Sequence, residues 1–114
     1  MALQLDVKEV QGVKVLSLTG RVTLGEESSQ LRSKIKELLS EGNKRLVLDL
    51  GAVSYVDSAG LGTLVAGYTS ARNEGGEIRL ANVTKKLGEL LSITKLLTVF
   101  SVYDSVDDAV NSFS

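Results

Sequence analysis

Arg45-Leu46-Val47-Leu48-Asp49-Leu50 is the segment that most narrows the choice of fold. It is short and apolar at nearly every position, so both sides of the strand it predicts must be covered. A strand of that kind lies inside a sheet, with other elements packed above and below it. The neighbouring segments supply candidates for that cover, because both read as helices. Before it, Leu31, Ile35, Leu38 and Leu39 form one apolar stripe at helical spacing, and Glu41-Gly42-Asn43 gives a stop. After it, Leu61, Leu64, Val65 and Tyr68 recur at i, i+3, i+4 and i+7, predicting a helix from about Ser58 to Asn73.

The rest of the chain extends this alternation. Leu3, Leu5 and Val7 alternate with polar residues, Gln11-Gly12 suits a tight turn, and Val13 to Thr19 returns as a second strand. Gly20 to Gly25 breaks that pattern. Thr23-Leu24-Gly25-Glu26 has the spacing of a capping box for the first helix, with a start at Gly25 as the alternative. Beyond Gly75-Gly76, Glu77 to Ala81 reads as a strand. Thr84 caps a helix with the stripe Leu87, Leu90 and Leu91, and Leu97 to Phe100 is a strand candidate. Ser105 caps a last helix, with Asp107 and Asp108 in the turn where the helix dipole favours negative charge. The order β-β-α-β-α-β-α-β-α predicts a single α/β domain over residues 1–114: a mixed β-sheet with an N-terminal hairpin and about four helices. Sites in such folds form at the ends of the parallel strands.

Composition removes several kinds of chemistry. The 114 residues contain no cysteine and no histidine. Disulfides, a Ser-His-Asp triad, a Cys-His pair and an ordinary zinc site are therefore excluded, and no cofactor is expected. A covalent enzyme would need serine with lysine, or paired carboxylates, and no spacing signals either. The formal net charge of −1 lacks the basic surplus expected of a nucleic-acid binder. Lys44-Arg45 and Lys85-Lys86 read as solvated ends of elements. The start, Met1-Ala2-Leu3-Gln4-Leu5-Asp6, does not resemble a signal peptide. No apolar run approaches the roughly 20 residues that span a bilayer, so no membrane insertion is expected and the expected location is cytoplasmic.

Tyr55-Val56-Asp57-Ser58-Ala59-Gly60-Leu61-Gly62 concentrates an acid, a serine and two glycines where a strand passes into a helix. The plain reading is an N-cap at Asp57 or Ser58, with the glycines allowing the helix to approach the sheet closely. A nucleotide cradle is a weak alternative. Val65 stands where a dinucleotide fingerprint needs a third small residue, and no Lys or Arg occurs between Arg45 and Arg72. Asp49 would either end its strand, which is the favoured reading, or help to shape the site.

Four stretches carry a resemblance to the STAS family, named for sulfate transporters and anti-sigma factor antagonists. They are Leu18-Thr19-Gly20-Arg21, Leu46 to Leu50, Val56 to Gly62, and Asn73-Glu74-Gly75-Gly76-Glu77. The layout is similar over essentially the whole chain, and Asp-Ser-x-Gly-Leu-Gly is its most specific part. The resemblance implies a STAS-like fold and a non-enzymatic regulator that acts by partner switching. In its bacterial antagonists, the unphosphorylated protein binds an anti-sigma factor, often itself a serine protein kinase, and so frees a sigma factor. Phosphorylation blocks binding, and a serine phosphatase restores it. Carried onto this chain, the acceptor is Ser58 and the partner surface comprises Thr23, Leu24, Tyr55, Asp57, Ser58, Ala59, Gly60, Leu61 and Gly62. Tyr55 either packs beneath the motif or meets the partner. Ala59 stands where many antagonists have a second hydroxyl, and Thr23 is near where many have an aspartate. Two other functions remain open: a STAS adaptor subunit of a transporter complex or signalling assembly, and a weak nucleotide-binding enzyme.

Overall fold

The computed structural model describes residues 3–113. Met1, Ala2 and Ser114, the ends of the expected domain, lie outside them. The chain opens with β1 (Gln4–Val10) and β2 (Val13–Val22), an antiparallel hairpin in the register Val10↔Val13 and Leu5↔Leu18. Its two turn residues, Gln11 and Gly12, have φ of 52° and 80°. Two consecutive positive φ values give the twist that matches the flanking strands.

The other elements are α1 (Glu26–Ser40), β3 (Arg45–Val56), α2 (Ser58–Asn73), β4 (Glu77–Ala81) and α3 (Lys85–Ile93). After them come a 3₁₀ turn (Leu96–Thr98), β5 (Ser101–Tyr103) and α4 (Val106–Asn111). The sheet order is β1-β2-β3-β4-β5, with every pair after the hairpin parallel. Each parallel connection steps in the same direction across the sheet. Right-handed crossovers then bring α1, α2 and α3 to one face. There Leu31, Ile35, Leu64, Leu87 and Leu91 bury against Leu16, Leu46, Leu48 and Leu80. On the other face, Ala109 and Val110 of α4 cover Val13, Val15, Val47 and Ala81. The apolar run at 46–50 is thus covered on both sides, as expected.

Four local expectations need correction. β2 and β3 run further than the sequence suggests, to Val22 and Val56 rather than Thr19 and Leu50. The pairs Ser17↔Asp49 and Thr19↔Ala52, then Gly20↔Val53 and Arg21↔Tyr55, show that β3 gains one residue over β2 at each of two bulges. Each bulge shifts the alternation by one, so the positions buried on the α1–α3 face run Leu46, Leu48, Leu50, Val53 and Val56. Asp49 therefore does not end its strand. Its Oδ1 accepts from Gly51 N–H (3.1 Å) and Asn82 Nδ2 (3.0 Å), bracing the first bulge against the end of β4.

α1 does not use the expected capping box. Its N-cap is Gly25, without a side-chain cap bond, as the alternative start allowed. The Thr23 hydroxyl donates to Glu27 Oε1 (3.2 Å), and the Thr23 carbonyl accepts from Ser28. Finally, Leu97 to Phe100 is not a strand. A 3₁₀ turn occupies Leu96–Thr98, and β5 pairs with β4 through Arg79↔Ser101 and Ala81↔Tyr103. Phe100 reaches the core from this turn and meets Tyr68 edge to face, with ring centroids 5.4 Å apart.

Candidate functional site

The motif lies where β3 ends and α2 begins. Asp57 is in an extended conformation (φ −92°, ψ −176°) and is the N-cap of α2. Its backbone N–H donates to the Val22 carbonyl (3.2 Å), and its own carbonyl accepts from Leu61 N–H (2.9 Å). Both carboxylate oxygens are engaged by backbone. Oδ1 accepts from Gly60 N–H (2.8 Å), closing the cap, and Oδ2 accepts from Leu24 N–H (2.9 Å) in the β2–α1 loop. One side chain therefore caps α2 and ties a second loop, 33 positions distant in sequence, to the same point. This tether gives a physical reason for the late start of α1: Leu24 faces Asp57 instead of entering the helix.

These bonds also set the ionisation of Asp57. The N–H of Gly60, followed by that of Leu24, holds its pKa below the usual carboxylate value. Asp57 is thus an anion at neutral pH. With both oxygens bound by N–H groups it is a poor proton acceptor for a neighbouring hydroxyl.

Ser58 is the first residue of α2 and is exposed. Its hydroxyl makes no hydrogen bond among the described residues. Around it, Leu24 and Tyr55 are large apolar residues left 76% and 51% exposed. Arg21 stacks on the Tyr55 ring, its guanidinium 5.5 Å from the centroid. Tyr55 therefore does not pack beneath the motif. Thr23 and Ala59 are half-buried at the same end of the molecule.

Three of the motif residues differ in what they can do. Gly60 is buried, and a Cβ there would land on the Val22 carbonyl oxygen. Leu61 is buried in the main core. Both shape the site from beneath rather than offering side chains to a partner. Gly62 is exposed, and a Cβ there would meet open space, so the expectation of close packing holds for Gly60 and fails for Gly62.

The structure adds a feature that the sequence reading missed. A groove of about 500 Å³ lies between the end of β3 and α3, with Ser58 among its lining residues. Leu61, Leu87, Leu90 and Ile93 contribute to its apolar lining. Ile93 is 79% exposed. The signal was present, because Ile93 falls off the stripe Leu87, Leu90 and Leu91, leaving an apolar residue with no place in the core. Among the described residues, no group of acids is placed to hold a metal ion, and no helix is long and apolar enough to cross a membrane.

A family model described as the STAS domain matches residues 4–109. The chain belongs to that family. Its relatives include the anti-sigma-B factor antagonist of Bacillus subtilis, 29% identical over 90% of this chain and 92% of that one. The anti-sigma F factor antagonist of Paenibacillus polymyxa is 26% identical over 96% of this chain and 94% of its own length. Among solved structures, an anti-sigma factor antagonist from Mycobacterium paratuberculosis superposes with a TM-score of 0.83. It is 26% identical, and the match covers 96% of this chain and 92% of that one. These STAS relatives are named as regulators, and the five-stranded sheet with four helices is the STAS fold.

Proposed function

We propose that this chain is an anti-sigma factor antagonist controlled by phosphorylation of Ser58. Unmodified, it binds an anti-sigma factor that is also a serine protein kinase, and so releases a sigma factor. The kinase step moves the γ-phosphoryl group of a nucleoside triphosphate to Ser58 Oγ. The hydroxyl proton goes to a base of the kinase, and the nucleoside diphosphate leaves. A serine phosphatase reverses the change with water and releases inorganic phosphate. The chain itself is a binding module in the cytoplasm and performs no chemistry.

The observation that carries this reading is the exposed Ser58 hydroxyl on the first turn of α2, beside an Asp57 wholly occupied in holding the backbone. Ser58 is open to a kinase active site and to a partner surface, and its modification needs no core residue to move. Leu24 and Tyr55 offer exposed apolar area, with Thr23, Ala59 and Gly62 completing the contact face. Gly60 and Leu61 fix its shape. Phosphorylation adds a charge of about −1.5 to −2 at neutral pH. Burying an uncompensated charge in an interface costs several kcal/mol, and about 1.4 kcal/mol is already tenfold in affinity.

The test begins with mass-spectrometric mapping of Ser58 in the protein from its own cells. Immobilised chains carrying serine or phosphoserine at position 58 are then compared against the native lysate. The expected result is an anti-sigma factor retained at least tenfold better by the serine form, with Ser58→Asp falling between the two. Equal retention by both forms, or retention of a membrane transport complex instead, would overturn the proposal.

A further inference from the structure

Among the described residues, the groove beside Ser58 is lined by one cation, Lys86. α3 begins Lys85-Lys86, placing two cations in the first turn, where the helix dipole disfavours them. Two neighbours of Lys86 have evident structural roles. Thr84 caps the helix by accepting from Leu87 N–H (3.3 Å), and Leu87 is buried in the core. Lys86 is exposed and lines the groove, yet it forms no ion pair among the described residues. The groove's other charged lining residues are both acids: Asp57 at the cap of α2 and Glu89 on α3. A phosphate on Ser58 would enter a space that already holds two carboxylates and a single cation.

We infer that the mouth of this groove is a phosphomonoester-binding site, in which the Lys86 ammonium on α3 receives the phosphate carried by Ser58 on α2. The inference rests on the reading of Ser58 as a phosphorylation site. Ser58 and Lys86 line the same space of about 500 Å³, and lysine carries its charge on a flexible four-carbon stem. The ion pair offsets the repulsion from Asp57 and Glu89. It also links α2 to α3 across the groove, above Leu61 and Leu87. Phosphorylation then acts twice: it places charge on the contact face and it covers an apolar groove next to that face.

The test uses the full chain with phosphoserine incorporated at position 58, followed by ³¹P NMR across pH without any partner. The charged groups lining the groove with Ser58 are Asp57 at the cap of α2 and Lys86 and Glu89 on α3; Lys85 precedes Lys86 on α3, and Arg21 of β2 stacks on Tyr55, another lining residue. Lys86→Ala is expected to raise the second phosphate pKa by about half a unit or more, since a nearby cation favours the more charged form. Lys86→Arg should keep the native value, and Lys85→Ala should move it less. An identical titration in the native and Lys86→Ala chains, or equal shifts from Lys85→Ala and Lys86→Ala, would overturn the site. Because no partner is needed, this result is separable from the fate of the switch. A phosphoserine chain that binds its partner undiminished would refute the switch and leave the titration to decide the site.

Discussion

At the scale of single residues, two glycines in one helix have opposite requirements. A methyl group at Gly60 would meet the Val22 carbonyl oxygen, whereas Gly62 faces open space. Gly60→Ala should therefore force α2 away from β2 and cost about 1–3 kcal/mol. Gly62→Ala should stabilise by about 0.5–1 kcal/mol, because it removes the entropy cost of glycine within a helix. Urea unfolding of the two variants checks both signs, and equal effects would contradict the contact assigned to Gly60. Asp57 makes a second prediction. Its folded pKa is lowered by the N–H of Gly60 and then of Leu24. Its contribution is thus complete above the unfolded value of about 4, and it is lost as pH falls through the lower folded value. The Gly60 and Leu24 amide resonances should hold their positions down to about pH 4 and move only in stronger acid; a shared midpoint at or above pH 4 would count against the double tether. The cap at Asp57 was legible in the sequence because capping is local. Its bond to Leu24 was not, because no periodicity links positions 24 and 57.

At the scale of elements, the helices were legible and the second half of β3 was not. α2, α3 and α4 begin at the caps Asp57, Thr84 and Ser105, each of which accepts from a backbone N–H three residues on. Cap and apolar stripe are both encoded within a few adjacent residues. β3 loses its alternation at Gly51 because a bulge adds a residue there, and a second bulge follows before Tyr55. A strand with two bulges has buried positions at 50, 53 and 56, a spacing that looks helical rather than extended. The 3₁₀ turn departs from the expected strand for another reason: Phe100 is apolar because it plugs the core, not because it lies in a sheet. Asp49 is where the bulge can be tested. Asp49→Ala removes the acceptor for Gly51 and Asn82, and it should cost about 1–2 kcal/mol in urea unfolding. Asp49→Asn keeps an oxygen there and should cost less. Indifference to both changes would mean that the bulge is held by β2 alone.

At the scale of the whole molecule, the direction of the sheet decides where the site lies. All the parallel strands end on the side where α2 and α3 begin, so Ser58 and Lys86 both stand at that end. The residues that hold the sheet together are elsewhere: Leu46, Leu48, Ile78 and Leu80 are fully buried beneath the helices, and Val47 is buried beneath α4. Charge placed on Ser58 therefore acts on a surface that the core does not depend on. The α2 dipole favours a phosphate there by roughly 0.3–1 kcal/mol, while the anionic Asp57 opposes it. The repulsion from Asp57 and Glu89 is opposed by the dipole and by the inferred pair with Lys86, so the folded state should be nearly indifferent to the modification. The expected outcome is an unfolding free energy for the phosphoserine chain within about 1 kcal/mol of the unmodified chain, alongside a loss of partner affinity of tenfold or more. Calorimetric unfolding and partner titration on the same two samples would decide this. A phosphoserine chain destabilised in step with its lost affinity would mean that phosphorylation works by loosening α2, and that the surface held together by Asp57 is not what a partner reads.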